Sequence, residues 1–363
     1  MADLQPRQDS QRREADSAPS AERRMTASDI ARIVGTSSAT VSYALNGNPG
    51  VSDALRARIL EIAREHGFRP NLLAQGLRRG RSDVIGLLLA DIANPFYPEI
   101  ASRVISAAAE SGHQVFLSHA GIDGALLATA ARALVDHRCE GLIFTSVGES
   151  DRPVLAELRA EGVPFVFINR YIDGLDADFV GIDDEAAGRT MLEHVLSCGY
   201  TRIALLGGEH VSSASRNRMS GFVSALGVAG LSPVNQEGLY GPLTHESGFE
   251  RAEVLLEGGS QPPQAIVCGN DMIALGVMDA VLARGLSIPG DVAVTGYDDM
   301  SFASVQALAL TTLRVPREAM GAAAVRLLLE RSSGYAGPAR QDLQRFELVI
   351  RRTCGSQSNP GSR

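Results

Sequence analysis

The chain has 363 residues, of which 45% are hydrophobic, and it carries a formal net charge of −8. This length exceeds one ordinary domain, so we expect two or three folded units with sizeable cores. There is no apolar run of about 18 residues, as a membrane helix needs, and residues 1–24 lack the apolar centre of a secretion signal. We therefore expect a cytoplasmic protein.

The charge is unevenly distributed. Residues 25–82 hold eight Arg against four Asp or Glu, residues 1–24 hold five of each sign, and residues 83–363 hold 21 Arg against 33 acids. A basic head on an acidic body predicts that only one end of the molecule meets phosphate. The polar, aperiodic residues 1–24 and 353–363 are predicted to be disordered tails.

Residues 28–46 show the pattern of two short helices separated by a tight corner. Gly35-Thr36-Ser37 interrupts apolar residues at helical spacing with a glycine that tolerates positive φ and a hydroxyl suited to capping. The second helix, about Ser37–Leu45, would present short or amphipathic side chains to a DNA major groove: Ser38, Ala39, Ser42 and Tyr43. On the pattern alone, a helical hairpin inside a larger all-α domain is equally acceptable.

A third helix is predicted over Ala54–His66, closed by Gly67 and buried through Leu55, Ile59, Ile62 and Ala63. Three helices can bury the back of a recognition helix. We thus predict a helix-turn-helix domain over residues 25–70, followed by an arginine-rich linker over residues 71–82.

From Val84 onwards, short apolar runs alternate with amphipathic helices, which is typical of an α/β fold. Strands are predicted at Val84–Leu89, Gln114–Ser118, Gly141–Thr145, Phe165–Asn169, Phe179–Ile182, Arg202–Leu206, Gly238–Tyr240, Ala265–Cys268 and Val292–Thr295. Helices are predicted at Tyr97–Ser111, Arg218–Leu226, Ser247–Leu256 and Met272–Arg284. Two parallel sheets of this kind would enclose a ligand cleft at the carboxyl ends of their strands.

Polar and aromatic residues follow several of these strands. Asp91, Phe96 and Tyr97 come after the first strand, Asn169 and Arg170 after the fourth, and Arg218, Asn270 and Asp298 lie in the second half. Hydroxyl-rich ligands such as sugars need planar, bidentate polar partners and an aromatic face. Taken singly, Asn270 or Asp298 could instead cap a helix, and Arg218 could be a surface residue paired with an acid.

An enzyme finds little support in the sequence. There is no Walker-type loop, no Gly-x-Ser-x-Gly elbow and no His-Glu-x-x-His pair. The seven His residues are scattered, and the four cysteines (Cys139, Cys198, Cys268 and Cys354) are isolated, so we predict buried thiols, no metal, no catalytic residue and no cofactor. Asp183-Asp184-Glu185 is predicted to stabilise a helix start.

Three segments carry a specific resemblance: TASDIARIVGTSSATVSYALNG, VSDALRARILEIAREHGFRPN and LLAQGLRRGRSDVIGLLL. They resemble the head, linker and first core strand of the lactose/galactose repressor (LacI/GalR) family of bacterial transcription regulators, and the resemblance covers nearly the whole chain beyond residue 25. It implies a helix-turn-helix head joined to an α/β core of two Rossmann-like subdomains, similar to periplasmic sugar-binding proteins, over residues 83–352. The implied subdomains are about 83–178 plus 300–333 and about 179–299 plus 334–352, with crossovers near Asp176–Ile182, Asp298–Leu310 and Arg331–Arg345.

The resemblance implies a sequence-specific transcription regulator, most often a repressor, that binds a pseudo-palindromic double-stranded DNA operator as a homodimer. A small-molecule effector, expected to be a sugar or sugar derivative, would bind in the interlobe cleft and act as inducer or as corepressor. In this family the segment matching Asn71–Leu77 is a hinge helix that forms on the operator, and Leu77 occupies the position of the leucine wedged into the minor groove. An ordinary linker is the alternative.

Site residues are carried over position by position. The expected DNA contacts are Thr26, Ser37, Ser38, Ala39, Thr40, Ser42, Tyr43, Asn46, Asn71, Ala74, Gln75, Leu77 and Arg78. The expected effector contacts are Asp91, Phe96, Tyr97, Asn169, Arg218, Asn270 and Asp298. Two positions depart from the family: Tyr43 stands where Arg or His is frequent, and Leu308-Ala309 replaces the usual Pro-Pro before Leu-Thr-Thr, which puts the base preference and the rigidity of that crossover in question.

Two other classes compete with this interpretation. One is a binding protein without DNA activity, either a cytosolic sugar sensor or a secreted solute-binding protein, and the lack of a secretion signal disfavours the secreted form. The other is an enzyme built on the same core, for which the sequence offers no catalytic motif.

Overall fold

The computed structural model describes residues 25–45, 47–68, 82–121, 126–257 and 261–355. The predicted tail over residues 1–24, linker residues 71–81 and residues 356–363 of the second predicted tail lie outside these ranges. The start of the second tail, predicted at residue 353, was wrong, because Thr353 and Cys354 are buried and the Thr353 Oγ1 accepts from the Thr311 N–H. The chain divides into two compact units, Met1–Gly80 and Arg81–Arg363. Within the described ranges, no helix is both long and apolar enough to cross a membrane.

The described part of the first unit is a three-helix head, as predicted. Helix α1 spans Ala27–Val34, α2 spans Ser38–Leu45 and α3 spans Asp53–Glu65. Thr26 and Asp29 form a reciprocal capping box at the start of α1, and Gly35 ends that helix with a φ of 72°, which is why a glycine stands at the corner. Each helix contributes to one small core: Ile30, Ala31, Val41, Ala44, Ile59, Ile62 and Ala63.

The second unit begins with a lobe built on a six-stranded parallel sheet in the order β10-β5-β4-β3-β1-β2. Its strands are β1 (Val84–Leu89), β2 (Gln114–His119), β3 (Leu142–Phe144), β4 (Phe165–Ile168), β5 (Asp178–Gly181) and β10 (Gln341–Leu343). Its helices are α4 (Phe96–Glu110), α5 (Leu127–Asp136), α6 (Arg152–Ala160) and α11 (Arg317–Ser332). We call this part lobe one.

Lobe two is built on a three-stranded parallel sheet in the order β6-β7-β8. Its strands are β6 (Ile203–Leu206), β7 (Ala265–Cys268) and β8 (Ala293–Thr295). Its helices are α7 (Asp184–Ser197), α8 (Ser213–Val228), α9 (His245–Glu257) and α10 (Asp271–Ala283). A short antiparallel pair, β9 (Thr312–Arg314) with β11 (Glu347–Val349), lies where the chain passes between the lobes.

Helices α7 and α8 pack closely because glycines stand at their crossing. A Cβ on Gly188 would overlap the carbonyl oxygen of Arg218, and a Cβ on Gly221 would overlap the carbonyl oxygen of Glu185. Only glycine allows this approach of two backbones. The crossing brings the first turn of α7 beside Arg218.

The predicted division into two sheets is confirmed, but the subdomain boundaries were wrong at two places. Residues 179–181 and 341–343 were assigned to the second subdomain, whereas β5 and β10 pair with each other in the sheet of lobe one. The chain adds β5 and β10 to the sheet of lobe one before it passes into lobe two, so the passages from lobe one to lobe two follow Gly181 and Leu343. A buried carboxylate, Asp178, holds both pieces in lobe one through Arg331 and Arg340.

The strand predicted at Gly238–Tyr240 is also absent from the structure. The Asn235 side chain takes the place of a neighbouring strand, since its Oδ1 accepts from the Leu205 N–H at 2.9 Å and its Nδ2 donates to the Leu205 carbonyl at 2.9 Å. The Leu239 carbonyl then accepts from the Gly207 N–H at 2.6 Å. The edge of β6 is thus satisfied without a regular ladder.

The crossover that lacks the Pro-Pro pair is anchored in another way. Ala309 adopts a φ of 44°, in the left-handed region that favours glycine. Nearby, the buried Asp271 carboxylate accepts from the Thr312 Oγ1 at 2.6 Å and from the Met300 N–H at 2.7 Å. Two hydrogen bonds to one buried acid therefore hold both sides of the crossover.

Asp178→Asn is expected to destabilise the second unit. Burial alone would raise the pKa of Asp178, but hydrogen bonds from Arg331 and Arg340 lower it to about 2. The contribution of Asp178 to the free energy of unfolding is therefore complete above about pH 4 and is lost as the pH falls towards 2. Breaking a buried pair costs about 3 kcal/mol. Urea unfolding at pH 7 should show this loss, whereas Glu149→Gln, in an exposed pair with Arg152, should leave the unfolding midpoint close to that of the wild type. Equal midpoints for both variants would contradict the role of Asp178.

Candidate functional site

The exposed face of α2 carries much of the predicted DNA-reading set. Ser38, Ala39 and Tyr43 are exposed, while Thr40 and Ser42 are half-buried. Residues 38, 39, 42 and 43 share one helix face because neighbours on a helix surface lie three or four positions apart. This face is opposite Val41 and Ala44, which are buried in the head.

Two of the predicted DNA contacts already serve as helix caps. The Thr26 Oγ1 accepts from the Asp29 N–H at 3.3 Å, and the Ser37 Oγ accepts from the Thr40 N–H at 3.1 Å. A capping hydroxyl retains hydrogen-bonding capacity, so this role is compatible with a phosphate contact. Asn46, Asn71, Ala74, Gln75, Leu77 and Arg78 lie outside the described residues.

Sequence reasoning missed the residue that fixes the end of α2. The Arg56 guanidinium on α3 donates to the Ala44 carbonyl at 3.0 Å and to the Asn48 carbonyl at 2.6 Å. These carbonyls end the second helix and begin the following turn, and a cation is favourable there because it faces the negative end of the helix dipole. Arg56 therefore orients the exposed face.

A narrow polar cleft lies between the two lobes. Six of the seven predicted ligand contacts line it: Phe96, Tyr97, Asn169, Arg218, Asn270 and Asp298. Asp91 is the exception, since it is not part of the lining and its Oδ1 accepts from the Ala93 N–H at 2.8 Å in the turn after β1. The lining also contains residues that were not on the predicted list: Asn94, Arg170, Ser212, Ala214, Ser215 and Leu243.

Arg170 forms the polar wall of lobe one. It is 4% exposed, and it donates to the Ser146 Oγ at 3.0 Å and to the Tyr97 hydroxyl at 3.2 Å. Its buried Nε finds no acceptor among the described residues. A buried donor without a partner costs about 1–3 kcal/mol, so an acceptor for this Nε would be stabilising. Its position directly after Asn169 was the available sequence signal.

Arg218 forms the opposite wall and is held rigidly in lobe two. Its Nε and Nη2 donate to the Asp184 Oδ1 at 3.3 and 2.9 Å, and its Nη1 donates to the Gly269 carbonyl. The guanidinium carbon lies 3.3 Å from the centroid of the Tyr297 ring, whose hydroxyl donates to the same Asp184 oxygen at 2.8 Å. The surface role considered for Arg218 is therefore wrong.

Asp184 has a function that its position at a helix start concealed. Asp183 caps α7 by accepting from the Ala186 N–H at 2.9 Å, as an acid at a helix start should. Asp184, one residue later, is buried and anchors Arg218 instead. Burial raises the pKa of Asp184, while the charge of Arg218 opposes that rise.

Asn270 and Asp298 complete the far side of the cleft. Asn270 caps α10, because its Oδ1 accepts from the Ile273 N–H at 2.8 Å. Its Nδ2 donates to the Leu243 carbonyl at 3.3 Å, and the same side chain lines the cleft. Asp298 adopts a φ of 110°, which is rare outside glycine. Burial raises the pKa of Asp298 to about 7, against the lowering effects of Arg218 and Arg317.

Polar contacts join the lobes beside the cleft. The Ser213 Oγ of lobe two accepts from the Tyr171 N–H at 2.9 Å, and the Asn217 Nδ2 donates to the Tyr171 hydroxyl at 2.9 Å. Arg216 and Asp173 pair across the same gap at 2.9 Å. These contacts hold the two walls in a closed arrangement around a narrow polar space.

Comparisons with known proteins match both units. Residues 82–342 match the family described as periplasmic binding proteins and sugar binding domain of the LacI family, and residues 26–71 match bacterial regulatory proteins of the lacI family. The chain is 32% identical over 347 residues to the HTH-type transcriptional regulator MalR of Streptomyces coelicolor, covering 92% of this chain and 97% of that protein. It is 31% identical over 311 residues to the ribose operon repressor of Escherichia coli strain K12, covering 84% and 92%.

Solved structures agree with these matches. The lac repressor dimer bound to operator and an anti-inducer has a TM-score of 0.82 at 29% identity, covering 92% of this chain and 99% of that one. The complex of the transcriptional regulator CelR with cellobiose has a TM-score of 0.68 at 28% identity, covering 91% and 100%.

Asp298→Asn is expected to flatten the pH dependence of stability. The folded chain holds a proton on Asp298 up to about pH 7, whereas an unfolded aspartate loses it near pH 4, so the free energy of unfolding falls as the pH rises between these values. Asparagine does not titrate and should remove this slope. Thermal unfolding of both proteins from about pH 5 to about pH 8 measures this slope. Parallel wild-type and Asp298→Asn profiles would show that Asp298 is already ionised at the lower pH.

Proposed function

Because this chain belongs to the LacI family of bacterial transcription regulators, it is an effector-controlled DNA-binding protein and not an enzyme, and we propose how its residues perform each task. The helical head binds a pseudo-palindromic operator as part of a homodimer. The interlobe cleft binds a sugar or sugar derivative that changes operator affinity. We place this activity in the cytoplasm, where bacterial DNA lies.

DNA reading is assigned to the exposed face of α2. Ser38 and Ser42 hydroxyls can bond base edges, the Ala39 methyl can meet a thymine methyl, and Tyr43 supplies an aromatic side chain that is 52% exposed. Thr26, Ser37 and Thr40 are assigned to the phosphates beside the groove. The family resemblance extends the contact set to Asn46, Asn71, Ala74, Gln75, Leu77 and Arg78 in the linker region.

Effector binding is assigned to the cleft. The main support for this assignment is the buried Nε of Arg170, which has no hydrogen-bond partner among the described residues. Around this donor the cleft provides amides from Asn94, Asn169 and Asn270 and an aromatic surface from Phe96. Burial raises the pKa of Tyr97, and the nearby Arg170 opposes this, so the tyrosine stays a neutral hydroxyl that can donate or accept. Adjacent hydroxyls of a carbohydrate match this set.

Dimerisation is supported by two exposed apolar groups on the second unit. Phe116 and Leu117 lie on β2, at the edge of the lobe-one sheet, and are 40% and 46% exposed. On lobe two, Val254 is 70% exposed and Leu282 is 56% exposed. Burying such groups against a second copy would stabilise a dimer, and a palindromic operator requires that dimer to have two-fold symmetry.

The function is tested by titrating the purified chain against DNA from the region upstream of its own gene at several salt concentrations. We expect sequence-preferring binding with a steep negative log–log salt slope, and an affinity that changes when carbohydrates from a thermal-shift screen are added. Weak binding to every duplex, unaffected by any such compound, would contradict the proposal.

Leu77→Ala should weaken operator binding by about 10-fold or more while leaving effector affinity unchanged, because a leucine wedged between base steps supports the bend of the duplex. Electrophoretic mobility shifts measure the first quantity and calorimetry the second. Leu72→Ala, in the same linker, serves as the matched control. Equal losses of DNA and effector affinity would contradict the wedge role.

Arg170→Met should lower effector affinity by about 10- to 100-fold and abolish the response of DNA binding to effector, because the ligand loses a buried charged donor. Operator affinity without effector should stay within about 2-fold of wild type, since the head is unchanged. Arg189→Met, which removes an exposed arginine paired with Glu185, is the control that keeps effector binding. An unaltered response in Arg170→Met would exclude Arg170 as a ligand contact.

A further inference from the structure

Three donor side chains, two of them one helical turn apart and the third near the end of the chain, meet on lobe two, away from the cleft lining. They are His194 on α7, Cys198 directly after that helix, and Cys354 near the end of the chain. Their ligand atoms all lie within 4.8 Å of one another, and the His194 Nε2 lies 3.9 Å from the Cys198 Sγ. The four cysteines are isolated and the histidines are scattered along the sequence, so no sequence motif marks this cluster.

The backbone on both sides of this cluster is fixed. His194 and Cys198 are four residues apart and share a helix face, and the Cys198 N–H donates to the His194 carbonyl at 3.1 Å. On the other side, the Thr353 Oγ1 accepts from the Thr311 N–H at 2.9 Å and its carbonyl accepts from the Val294 N–H at 2.8 Å. The three donors are therefore preorganised by packing that does not depend on a ligand.

We propose that His194, Cys198 and Cys354 bind a thiophilic divalent cation of the Zn²⁺ class. Zn²⁺ takes sulfur at about 2.3 Å and imidazole nitrogen at about 2.0–2.1 Å in a tetrahedron, which small side-chain rotations allow for atoms this close. Each thiol gives up one proton to solvent on binding, so two thiolates neutralise the dication. A neutral complex suits this place, since Cys198 is 5% exposed and Cys354 is fully buried.

The partial exposure of His194 gives the ion an entry path and leaves the fourth tetrahedral position for water. The bound ion joins the C-terminal segment to α7. The first residue of this helix, Asp184, anchors Arg218 of the effector cleft. The site is therefore separate from the cleft and connected to it through one helix.

A second group of donors, Asp83, His113 and Glu140, differs in chemistry. It contains no thiol, and one Glu140 oxygen already accepts from the Asp83 N–H at 2.9 Å. Spectroscopy distinguishes the two groups, because only a thiolate site gives sulfur-to-metal charge transfer.

The test uses the reduced, metal-free full-length chain titrated with Co²⁺ and then with Zn²⁺. We expect one Co²⁺ per chain with a thiolate-to-cobalt charge-transfer band, displacement of that band by Zn²⁺, and a higher melting temperature with Zn²⁺. Cys354→Ser should weaken metal binding by more than about 100-fold, because even residues that merely support a ligand contribute about 10- to 100-fold. Cys139→Ser, which removes a thiol outside the cluster, should bind as wild type does.

Thiol labelling of the wild-type chain covers the case in which Cys354→Ser fails to fold. Labelling rates are compared between the folded chain without metal and the folded chain with Zn²⁺, and Zn²⁺ should slow the reaction of Cys198 and Cys354 while leaving that of Cys139 unchanged. Absence of the charge-transfer band, or a Cys354→Ser variant that binds Co²⁺ as tightly as the wild type does, would overturn the proposal. An intact mass lower by two hydrogens, showing that Cys198 and Cys354 form a disulfide in place of binding metal, would also overturn it.

Discussion

The buried pair of Arg218 with Asp184 is the constraint on which the cleft depends. Both groups are almost completely removed from water, and each would be very costly to bury alone, so neither can move without the other. Gly188 and Gly221 allow α7 and α8 to approach closely enough for the pair to form. Because Asp184 follows the first crossing between the lobes, the pair joins the cleft wall to the segment that would move if the lobes rotated.

The two walls of the cleft differ in how fully their charges are satisfied. Arg218 is enclosed by a carboxylate, a carbonyl and a tyrosine face, whereas Arg170 keeps one buried donor without a partner among the described residues. Lobe two thus provides a rigid surface, and lobe one provides an unmet hydrogen bond. A ligand that bonds Arg170 while resting against Arg218 favours one relative arrangement of the lobes, and such a preference is what a control mechanism requires.

Periodicity and turn chemistry were enough to predict the three-helix head, the alternating order of the core and half of the residues that line the cleft. Each of these features is encoded locally, as in the Gly35 corner or the polar residues that follow β4. The features that the sequence did not predict depend on contacts between residues that are distant in the chain. Asp184 had a sufficient local explanation as a helix-start acid, and Asn235 replaces a strand through a side chain whose target, Leu205, is not its neighbour in sequence. Cys354 approaches Cys198 only after the chain has crossed between the lobes three times.

Effector binding and operator binding are coupled through one chain. Thermodynamic linkage makes this coupling reciprocal, so it is measured by the dissociation constant of the effector with and without saturating operator DNA. We expect operator DNA to change effector affinity by the same factor by which effector changes operator affinity, with typical coupling of about 5- to 150-fold. An effector affinity that is identical in the presence and absence of operator would contradict this coupling.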